Sequence, residues 1–380
     1  MARDATTIEV AGHDVRLSSP GKVVFPARAD RDDGRGPARA ITKLDLVEYY
    51  LAVAEVAGPV RSGTGDAPGG RDGSTGGTPA VRPASPGGAL AGLRDRPGAL
   101  KRFPKGIDAP PFFQKRIPDS APEWLETAEV TFPSGRTARE LVVQDAAHLV
   151  WAVQMNVVDL NPWPVRRPDL DHPDELRVDL DPEPDVGWDA VRRVALVVRD
   201  VLAEHGLTGW PKTSGSRGIH VTVPIRPAWT FDEVRRAAIA LGRAVERRAP
   251  DLATTSWWKE ERHGVFLDYN QNARDRTVAA AFSVRPRPDA TVSTPLRWDD
   301  VPDVEMEDLR IDTVPDLVAR HGDPHAGMHD APGSLDALLA LSREDEEERG
   351  LGDAPWPPHY AKREGEPRRV QPSRAKDRDG

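Results

Sequence analysis

The feature that most constrains this chain is a run of alternating strand and helix patterns in its second half. The strand patterns alternate apolar and polar residues, and the helix patterns repeat apolar residues every three or four positions. Thr230 and Glu233 form a capping box at one helix start, and Pro182 ends the first strand. Such alternation predicts an α/β or α+β fold with one compact unit in the middle and C-terminal half, and we take α+β (mixed α/β) as the fold class. The segments are 175–181, 219–225, 264–270 and 276–285 as strands and 187–204 and 230–248 as helices.

The first half carries fewer patterned segments. Residues 43–57 place apolar side chains on one helical stripe, with Thr42 as the N-cap. Residues 128–132 and 139–144 predict a strand pair, and residues 145–155 predict a helix.

Polar, glycine-rich and proline-rich stretches divide these segments. Glycine and proline together number 69 (32 + 37) and are clumped. Stretches with few large apolar groups cannot offset their ordering entropy by burial, so we predict flexible insertions at 28–40 and 61–90. We predict an N-terminal segment over 1–14, a folded domain over 15–325 and a largely disordered extension over 326–380.

The composition excludes several chemistries. The chain has no cysteine, so disulfides, cysteine zinc sites and thiol nucleophiles are excluded. The formal net charge of −9 argues against a generally basic DNA coat, although a local basic cleft remains compatible with it. We find no signal peptide and no apolar run long enough for a membrane span, so we expect a soluble cytoplasmic protein without a membrane partner.

Two carboxylates lie two residues apart at the end of the first strand pattern. On a strand, Asp179 and Asp181 face the same side while Leu180 faces the core. Such a pair favours a divalent cation, and oxygen ligands suit Mg²⁺ or Mn²⁺. Asp268, after another apolar run, is a candidate third ligand for a two-metal site. The alternatives are a solvated acidic strand end, a helix N-cap pair, and a turn cap at Asp268.

The segment 214–220 combines two glycines with hydroxyl, cationic and imidazole side chains. Glycine lets the main chain approach a phosphate, and Ser214, Arg217 and His220 supply donors. The alternative is an ordinary serine and glycine turn before a strand, since the Gly-Lys-Ser/Thr ending of a Walker loop is absent.

Paired aromatic residues flanked by cations form another candidate site. Phe112 and Phe113 follow Lys101 in the chain and precede Lys115, a pattern suited to base stacking beside a phosphate backbone. The alternative is that both phenylalanines belong to the core. Arg285 closes an apolar run, so it is either solvated or part of a triphosphate clamp.

Taken together and in this order, these blocks closely resemble the polymerase domain of bacterial ligase D. That domain is a primase-polymerase of the archaeo-eukaryotic primase superfamily and acts in non-homologous end joining. The blocks are 22–26, 42–43, 49–50, 100–104, 112–115, 171–182, 213–220, 266–272 and 283–285.

The resemblance implies a fold and a chemistry. The fold would have central antiparallel or mixed sheets flanked by helices, with an RRM-like catalytic half. The activity would be template-directed nucleotidyl transfer from NTPs or dNTPs with two Mn²⁺ or Mg²⁺ ions, giving short gap-filling extensions with a preference for ribonucleotides. The partners would be gapped or 3′-overhanging DNA with a 5′-phosphate, a Ku-type protein and a separate DNA ligase, in a nucleoid-associated location.

The resemblance also assigns roles to residues of this chain. The metal-binding carboxylates would be Asp179, Asp181 and Asp268. The nucleotide would contact Lys101, Phe113, Ser214, Arg217, His220, Arg262, Gln271 and Arg285. DNA would contact Lys22 and Lys43 through its 5′-phosphate, and Phe112 and Phe113 through its bases.

The sequence departs from the family pattern in places. Ser19 stands where an asparagine often lines the 5′-phosphate pocket, and Asn161 stands where many members have histidine. The Lys-x-Asp-Gly motif of a ligase is absent, so we expect a stand-alone form. Rival functions are a non-catalytic DNA-end binder, a phosphohydrolase built on Asp-x-Asp, and a de novo primase.

Overall fold

The computed structural model describes residues 4–30, 32, 34, 36–58 and 86–362. Within them the helices are α1 Lys43–Val53, α2 Ala89–Leu93, α3 Ala146–Gln154, α4 Trp188–Glu204, α5 Phe231–Arg248, α6 Val314–His321 and α7 Asp336–Arg349. The strands are β1 Ala5–Val10, β2 His13–Ser18, β3 Val23–Phe25, β4 Ile41–Thr42, β5 Pro97–Gly98, β6 Leu100–Arg102, β7 Phe112–Gln114, β8 Thr127–Thr131, β9 Thr137–Val142, β10 Glu175–Pro182, β11 Trp210–Thr213, β12 Ile219–Pro224, β13 Ala253–Thr254 and β14 Val265–Leu267.

The largest sheet has five strands in the order β11-β12-β10-β14-β13. Its pairs are antiparallel except for β13 with β14. In the order β10, α4, β11, β12, α5 and β14, the chain follows the βαββαβ pattern of a split βαβ unit. Both long helices pack against β10, which is the central strand. The predicted α+β class and its RRM-like half are confirmed.

The other half consists of small sheets and shorter helices. Its sheets are β1-β2, β3-β4, β5-β9-β8 and β6-β7, and α1 packs against α3. Thr42 caps α1 through a capping box with Asp45, and Asp145 caps α3. One continuous apolar core links this half to the large sheet, so the two halves hold each other in place.

Charged side chains lie buried at the start of β10. Arg96 has a fully buried side chain, and its Nη2 lies 2.7 Å from Glu175 Oε1. Arg177 Nη2 lies 2.9 Å from Glu175 Oε2. Each buried charge has an opposite partner, which offsets part of the cost of its desolvation.

Most predicted elements are confirmed, with differences of a few residues at their ends. The helix predicted to 57 ends at Val53. The strand predicted over 264–270 is shorter, because Tyr269–Asn272 forms a 3₁₀ turn. The strand predicted over 276–285 is wrong, since Phe282 has a φ of 62° that interrupts an extended chain.

The predicted domain boundaries differ from the structure at both ends. The boundary after residue 14 cuts β2, whose Val15 and Leu17 are buried. The prediction of disorder from 326 is wrong for residues 326–362, because α7 packs against α5 and Trp356 is buried. Composition predicts disorder there because the surface on α5 that α7 packs against is distant in sequence.

Parts of the flexibility predictions fall where the structure gives no description. Residues 61–85 and 363–380 lie outside the described residues, and so do 31, 33 and 35. In the first insertion, Arg28–Asp30 forms a 3₁₀ turn, and Arg28 Nε donates to the Gly36 carbonyl at 2.9 Å. Among the described residues, no helix combines the length and apolar character needed to cross a membrane.

Candidate active site

Three carboxylates meet where the end of β14 lies beside the C-terminal part of the antiparallel strand β10. Asp179 and Asp181 project from β10, and Leu180 between them is fully buried. β14 pairs antiparallel with β10, and the Asp268 amide just after it donates to the Asp179 carbonyl at 3.0 Å. One oxygen of each carboxylate lies within 4.8 Å of the other two. The strand pairing therefore brings together residues that are almost ninety positions apart in the chain.

The electrostatics of this cluster favour a cation. Burial raises the pKa of Asp179 to about 6. Burial and the neighbouring Asp179 raise the pKa values of Asp181 and Asp268 to about 7 each. Clustered carboxylate oxygens are the ligands that Mg²⁺ and Mn²⁺ prefer, so the donor set fits divalent ions.

A buried chain of polar groups supports Asp179 from behind. His220 Nε2 lies 3.3 Å from Asp179 Oδ1, and Lys212 Nζ lies 2.7 Å from His220 Nδ1. Lys212 Nζ also donates to the Ala279 carbonyl at 2.7 Å and to Ser293 Oγ at 2.8 Å. Burial lowers the pKa values of Lys212 and His220 well below their usual ranges. Sequence reasoning missed Lys212, whose only signal is its position on β11 before the 214–220 segment.

The 214–220 segment forms a tight loop against the carboxylates. Ser214 Oγ accepts hydrogen bonds from the amides of Ser216 and Gly218, at 3.1 and 3.0 Å. Gly215 has a φ of 64°, and a Cβ there would stand 2.5 Å from Arg285 Cγ. Arg217 is exposed, and its charge acts on Asp181 to oppose the rise in the pKa of that carboxyl. The loop thus presents a cation to solvent beside the acidic cluster.

Two predicted nucleotide-site cations converge on a buried carboxylate. Lys101 Nζ lies 3.0 Å from Asp159 Oδ2, and Arg285 Nη1 lies 3.7 Å from the same oxygen. Asp159 is 1% exposed, and its Oδ1 has no hydrogen-bond partner. Sequence reasoning missed Asp159, although it lies two residues before the Asn161 that was considered. The carboxylate fixes the spacing of the two cations.

The remaining predicted nucleotide residues lie on both sides of the carboxylates. Gln271 Nε2 donates to Asp268 Oδ2 at 3.2 Å. The Arg262 guanidinium stacks on the Phe266 ring at 3.4 Å and lies 3.8 Å from Glu183. Its positive charge also acts on Asp181. Both residues are therefore next to the acidic cluster.

The paired phenylalanines lie on β7, which forms a hairpin with β6. Phe113 pairs with Lys101 and Phe112 with Arg102 in the register. Their exposed fractions are 65% and 45%, so the alternative that both are core residues is wrong. The Arg102 guanidinium lies 5.1 Å from the centre of the Phe112 ring. Two large apolar rings in solvent beside cations form a surface suited to stacking.

Lys22 and Lys43 lie in a separate cluster of cations with Arg102. Lys22 Nζ donates to Asn156 Oδ1, and Lys43 Nζ donates to Gln154 Oε1 at 2.7 Å. Burial and the charges of Lys22 and Arg102 lower the pKa of Lys43 to about 8. These ammonium groups have neutral oxygen partners rather than carboxylates, which leaves their charge available to an anion.

Asn272 links the turn after Asp268 to β10, the strand that carries Asp179 and Asp181. Its Oδ1 accepts from the Arg177 amide and its Nδ2 donates to the Arg177 carbonyl, each at 2.8 Å. The Asn272 side chain therefore occupies the place of a neighbouring strand residue beside β10. This arrangement fixes the turn that follows Asp268 to the strand that carries Asp179.

Comparison with solved structures shows which class of protein has this fold. The polymerase domain of Mycobacterium tuberculosis ligase D, solved in complex with DNA, superposes with a TM-score of 0.67. It shares 28% sequence identity, and the match covers 84% of this chain and 99% of that one. The fold is thus that of a ligase D polymerase domain.

Sequence comparison gives the family. The family model "LigD, primase-polymerase domain" matches residues 87–325. The chain is 30% identical over 322 residues to the multifunctional non-homologous end joining protein LigD of Mycolicibacterium smegmatis, covering 84% of this chain. It is 29% identical over 252 residues to the bifunctional protein LigD of Bacillus subtilis, covering 65% of this chain. The chain belongs to the LigD primase-polymerase domain family, and it spans 36% and 40% of these relatives' lengths.

Proposed function

We propose that this chain is a template-directed nucleotidyltransferase that extends or fills DNA ends with nucleoside triphosphates. The single observation that carries the proposal is the convergence of Asp179, Asp181 and Asp268, with oxygens within 4.8 Å of one another. A protein that only binds polyanionic DNA gains nothing from three clustered negative charges, because they repel phosphate. The acidic cluster therefore favours catalysis over a passive DNA-end binder.

The three carboxylates would hold two Mn²⁺ or Mg²⁺ ions. When bound, such ions activate the attacking hydroxyl and neutralise charge on the leaving group in phosphoryl transfer. The protein's own contribution is positioning: Asp179 is held by His220, Asp268 by Gln271, and both by the strand pairing. In the reaction the primer 3′ oxygen bonds to the α-phosphorus, and the bond to pyrophosphate breaks.

The cations around the acidic cluster would bind the triphosphate. Lys101 and Arg285 are held at a fixed spacing by Asp159, and Arg217 projects into solvent beside Asp181. Positive charges placed before the reaction stabilise the charge that develops on the phosphates. Ser214 lies in the loop before β12 and His220 lies on β12 itself, and both would complete the nucleotide site, as would Arg262.

DNA would bind along the exposed phenylalanine pair and the half-buried cations beside it. Phe113 would stack on the incoming base and Phe112 on the template, since both rings are exposed. Lys22 and Lys43 would bind the 5′-phosphate at a gap. The relatives carry names of non-homologous end joining proteins, which makes end joining the proposed pathway and a Ku-type protein and a ligase the proposed partners.

Primer extension on a gapped duplex tests the proposal. We expect the wild type to add nucleotides and release pyrophosphate in the presence of Mn²⁺, and Asp181→Asn to abolish addition. Asp185→Asn is the matched control, because Asp185 is an exposed carboxylate just after the same strand. Parallel reactions with ribonucleotides and deoxyribonucleotides, with and without the 5′-phosphate, define the substrate. DNA binding without addition, release of orthophosphate, or wild-type activity in Asp181→Asn would contradict the proposal.

A further inference from the structure

A short C-terminal segment lies directly against the turn that carries part of the acidic cluster. Residues 351–356 follow α7 and are named here the C-terminal strap. The family model ends at residue 325, so the strap lies beyond the matched region. The strap runs along α5 and reaches the 3₁₀ turn Tyr269–Asn272, which begins immediately after Asp268.

Arg235 on α5 connects the strap to this turn. Its side chain is 1% exposed, and every guanidinium nitrogen has a partner. Nε donates to Asn270 Oδ1 at 2.8 Å, and Nη1 donates to Asp353 Oδ1 at 2.6 Å. Nη2 donates to the carbonyls of Ala354 and Pro355 at 2.7 and 3.0 Å. One rigid, planar group therefore sets the distance between the strap and the turn.

Asn270 is held by the strap and is itself bonded to the third carboxylate. Its Nδ2 donates to the Pro355 carbonyl at 3.1 Å, so both ends of the buried amide are engaged. Its main-chain amide donates to Asp268 Oδ1 at 3.0 Å. A single residue thus separates the strap from a candidate metal ligand.

Trp356 anchors the strap. Its side chain is among the largest that are fully buried, and the Arg235 guanidinium stacks on its ring at 3.9 Å. Its Nε1 donates to Asp353 Oδ2 at 2.8 Å, which orients the carboxylate that pairs with Arg235. Loss of this ring would leave a cavity and free both Asp353 and Arg235 to move.

We propose that the C-terminal strap is a positioning element for the third metal ligand. Through Arg235 and Asn270 it holds the turn so that Asp268 faces Asp179 and Asp181. This inference rests on the proposed function, because it requires that Asp268 bind a divalent cation. Partners that orient metal ligands have large effects on metal affinity although they never contact the ion.

Direct measurement of Mn²⁺ binding by electron paramagnetic resonance tests the strap without using activity. We expect Trp356→Ala and Asp353→Ala to weaken Mn²⁺ binding about 10-fold, the scale typical of lost orienting partners. Trp356→Phe keeps an aromatic ring against Arg235 and should recover most of the affinity. The matched control is Leu338→Ala, which removes a fully buried side chain from α7 and has no hydrogen bond to the turn.

Thermal stability is measured for every variant, and Mn²⁺ affinities are compared at a temperature at which all variants are folded. Weakened Mn²⁺ binding in the two strap variants but not in Leu338→Ala would support the proposal. Unchanged Mn²⁺ binding in Trp356→Ala and Asp353→Ala, or an equal loss in Leu338→Ala, would overturn it.

The outcome for the strap can be distinguished from the outcome for the proposed function. A wild type that binds Mn²⁺ but adds no nucleotide refutes the polymerase proposal, and the binding comparison still decides the role of the strap. A wild type that adds nucleotides while strap variants bind Mn²⁺ normally refutes the strap alone.

Discussion

Gly218 lies so close to Leu180 that a Cβ on the glycine would stand 2.1 Å from the Leu180 carbonyl oxygen. Leu180 is the residue between the two carboxylates of β10, and it pairs with Ile219, the residue that follows Gly218. The 214–220 segment and strand β10 are therefore in main-chain contact. The absence of a side chain at Gly218 is what allows this approach.

Replacing Gly218 with alanine should force this contact apart. The oxygen belongs to the main chain of a central strand and cannot rotate away, so we expect Gly218→Ala to lower the free energy of unfolding by about 1–3 kcal/mol. Nucleotide addition should fall as well, because the strand carries Asp179 and Asp181. Urea denaturation and primer extension measure the two effects. Gly187→Ala is the control, since nothing lies within 4 Å of its Cβ position, and equal behaviour of both variants would contradict the steric argument.

The raised pKa values of the acidic cluster predict a pH dependence for the metal-free protein. Burial raises the pKa values of Asp179, Asp181 and Asp268 to about 6, 7 and 7, from the ordinary aspartate value of 3.8. Between pH 3.8 and about pH 7, the folded state therefore binds more protons than the unfolded state. The stability that the protonated carboxyls contribute is complete below about pH 4 and is lost as the pH rises to about 7.

Thermal unfolding in chelator from pH 5 to pH 8 checks this sign. The melting temperature of Asp181→Asn should decline less steeply with pH than that of the wild type, since one titrating group and its repulsion are removed. The exposed Asp185→Asn should follow the wild type. Parallel declines for wild type and Asp181→Asn would show that the cluster does not titrate in this range.

Lys101 and Asp159 should behave as a coupled pair. Lys101→Ala leaves the 1% exposed Asp159 without its nearer partner, so we expect a loss of about 1–3 kcal/mol in the free energy of unfolding and weaker nucleotide binding. Adding Asp159→Asn to that variant should restore part of the stability, because the buried carboxylate, left with only Arg285 at 3.7 Å, no longer carries a charge. Nucleotide binding should stay weak, since the cation is still missing.

A double-mutant cycle measures both quantities, by chemical denaturation and by nucleotide titration. Additive stability losses would show that the two residues are not coupled.

Lys22 should distinguish phosphorylated from unphosphorylated gaps. Lys22→Ala is expected to weaken binding to a 5′-phosphorylated gap more than to an unphosphorylated one, because the cluster with Lys43 and Arg102 loses a cation. The slope of log affinity against log salt should decrease by about 1 on the phosphorylated substrate. Fluorescence anisotropy measures both, with Arg248→Ala, an exposed cation paired with Glu204, as the control. Equal losses on both substrates would argue against a phosphate pocket.

Local pattern was sufficient for most of the fold. The Thr230 and Glu233 capping box is present as predicted, and β10 ends at Pro182. Pattern failed over 276–285, where apolar residues suggested a strand. There the positive φ of Phe282 breaks the extended chain, and Val284 makes only an isolated bridge to Val292. The φ of a single phenylalanine depends on tertiary packing, which local propensity does not contain.

The exposed and acidic parts of the site were easier to predict than its buried supports. The three carboxylates were proposed because their residue types suit a metal, and the structure brings them together. Lys212 and Asp159 were missed because a lysine or an aspartate is normally exposed, and their partners come from distant segments. Lys212, for example, bonds to Ala279 and Ser293, which lie 67 and 81 residues away.

The buried ion pairs at Glu175 and the amide of Asn272 together prevent β10 from sliding along its neighbours. Side chains on a strand alternate between faces, so a slip of one residue would turn both acids inward and present Leu180 in their place. Strand registers change only in whole residues, and no partial slip could retain one acid and misplace the other. The register of β10 therefore positions Asp179 and Asp181 together. The protein folds either with both side chains in the acidic cluster or with neither.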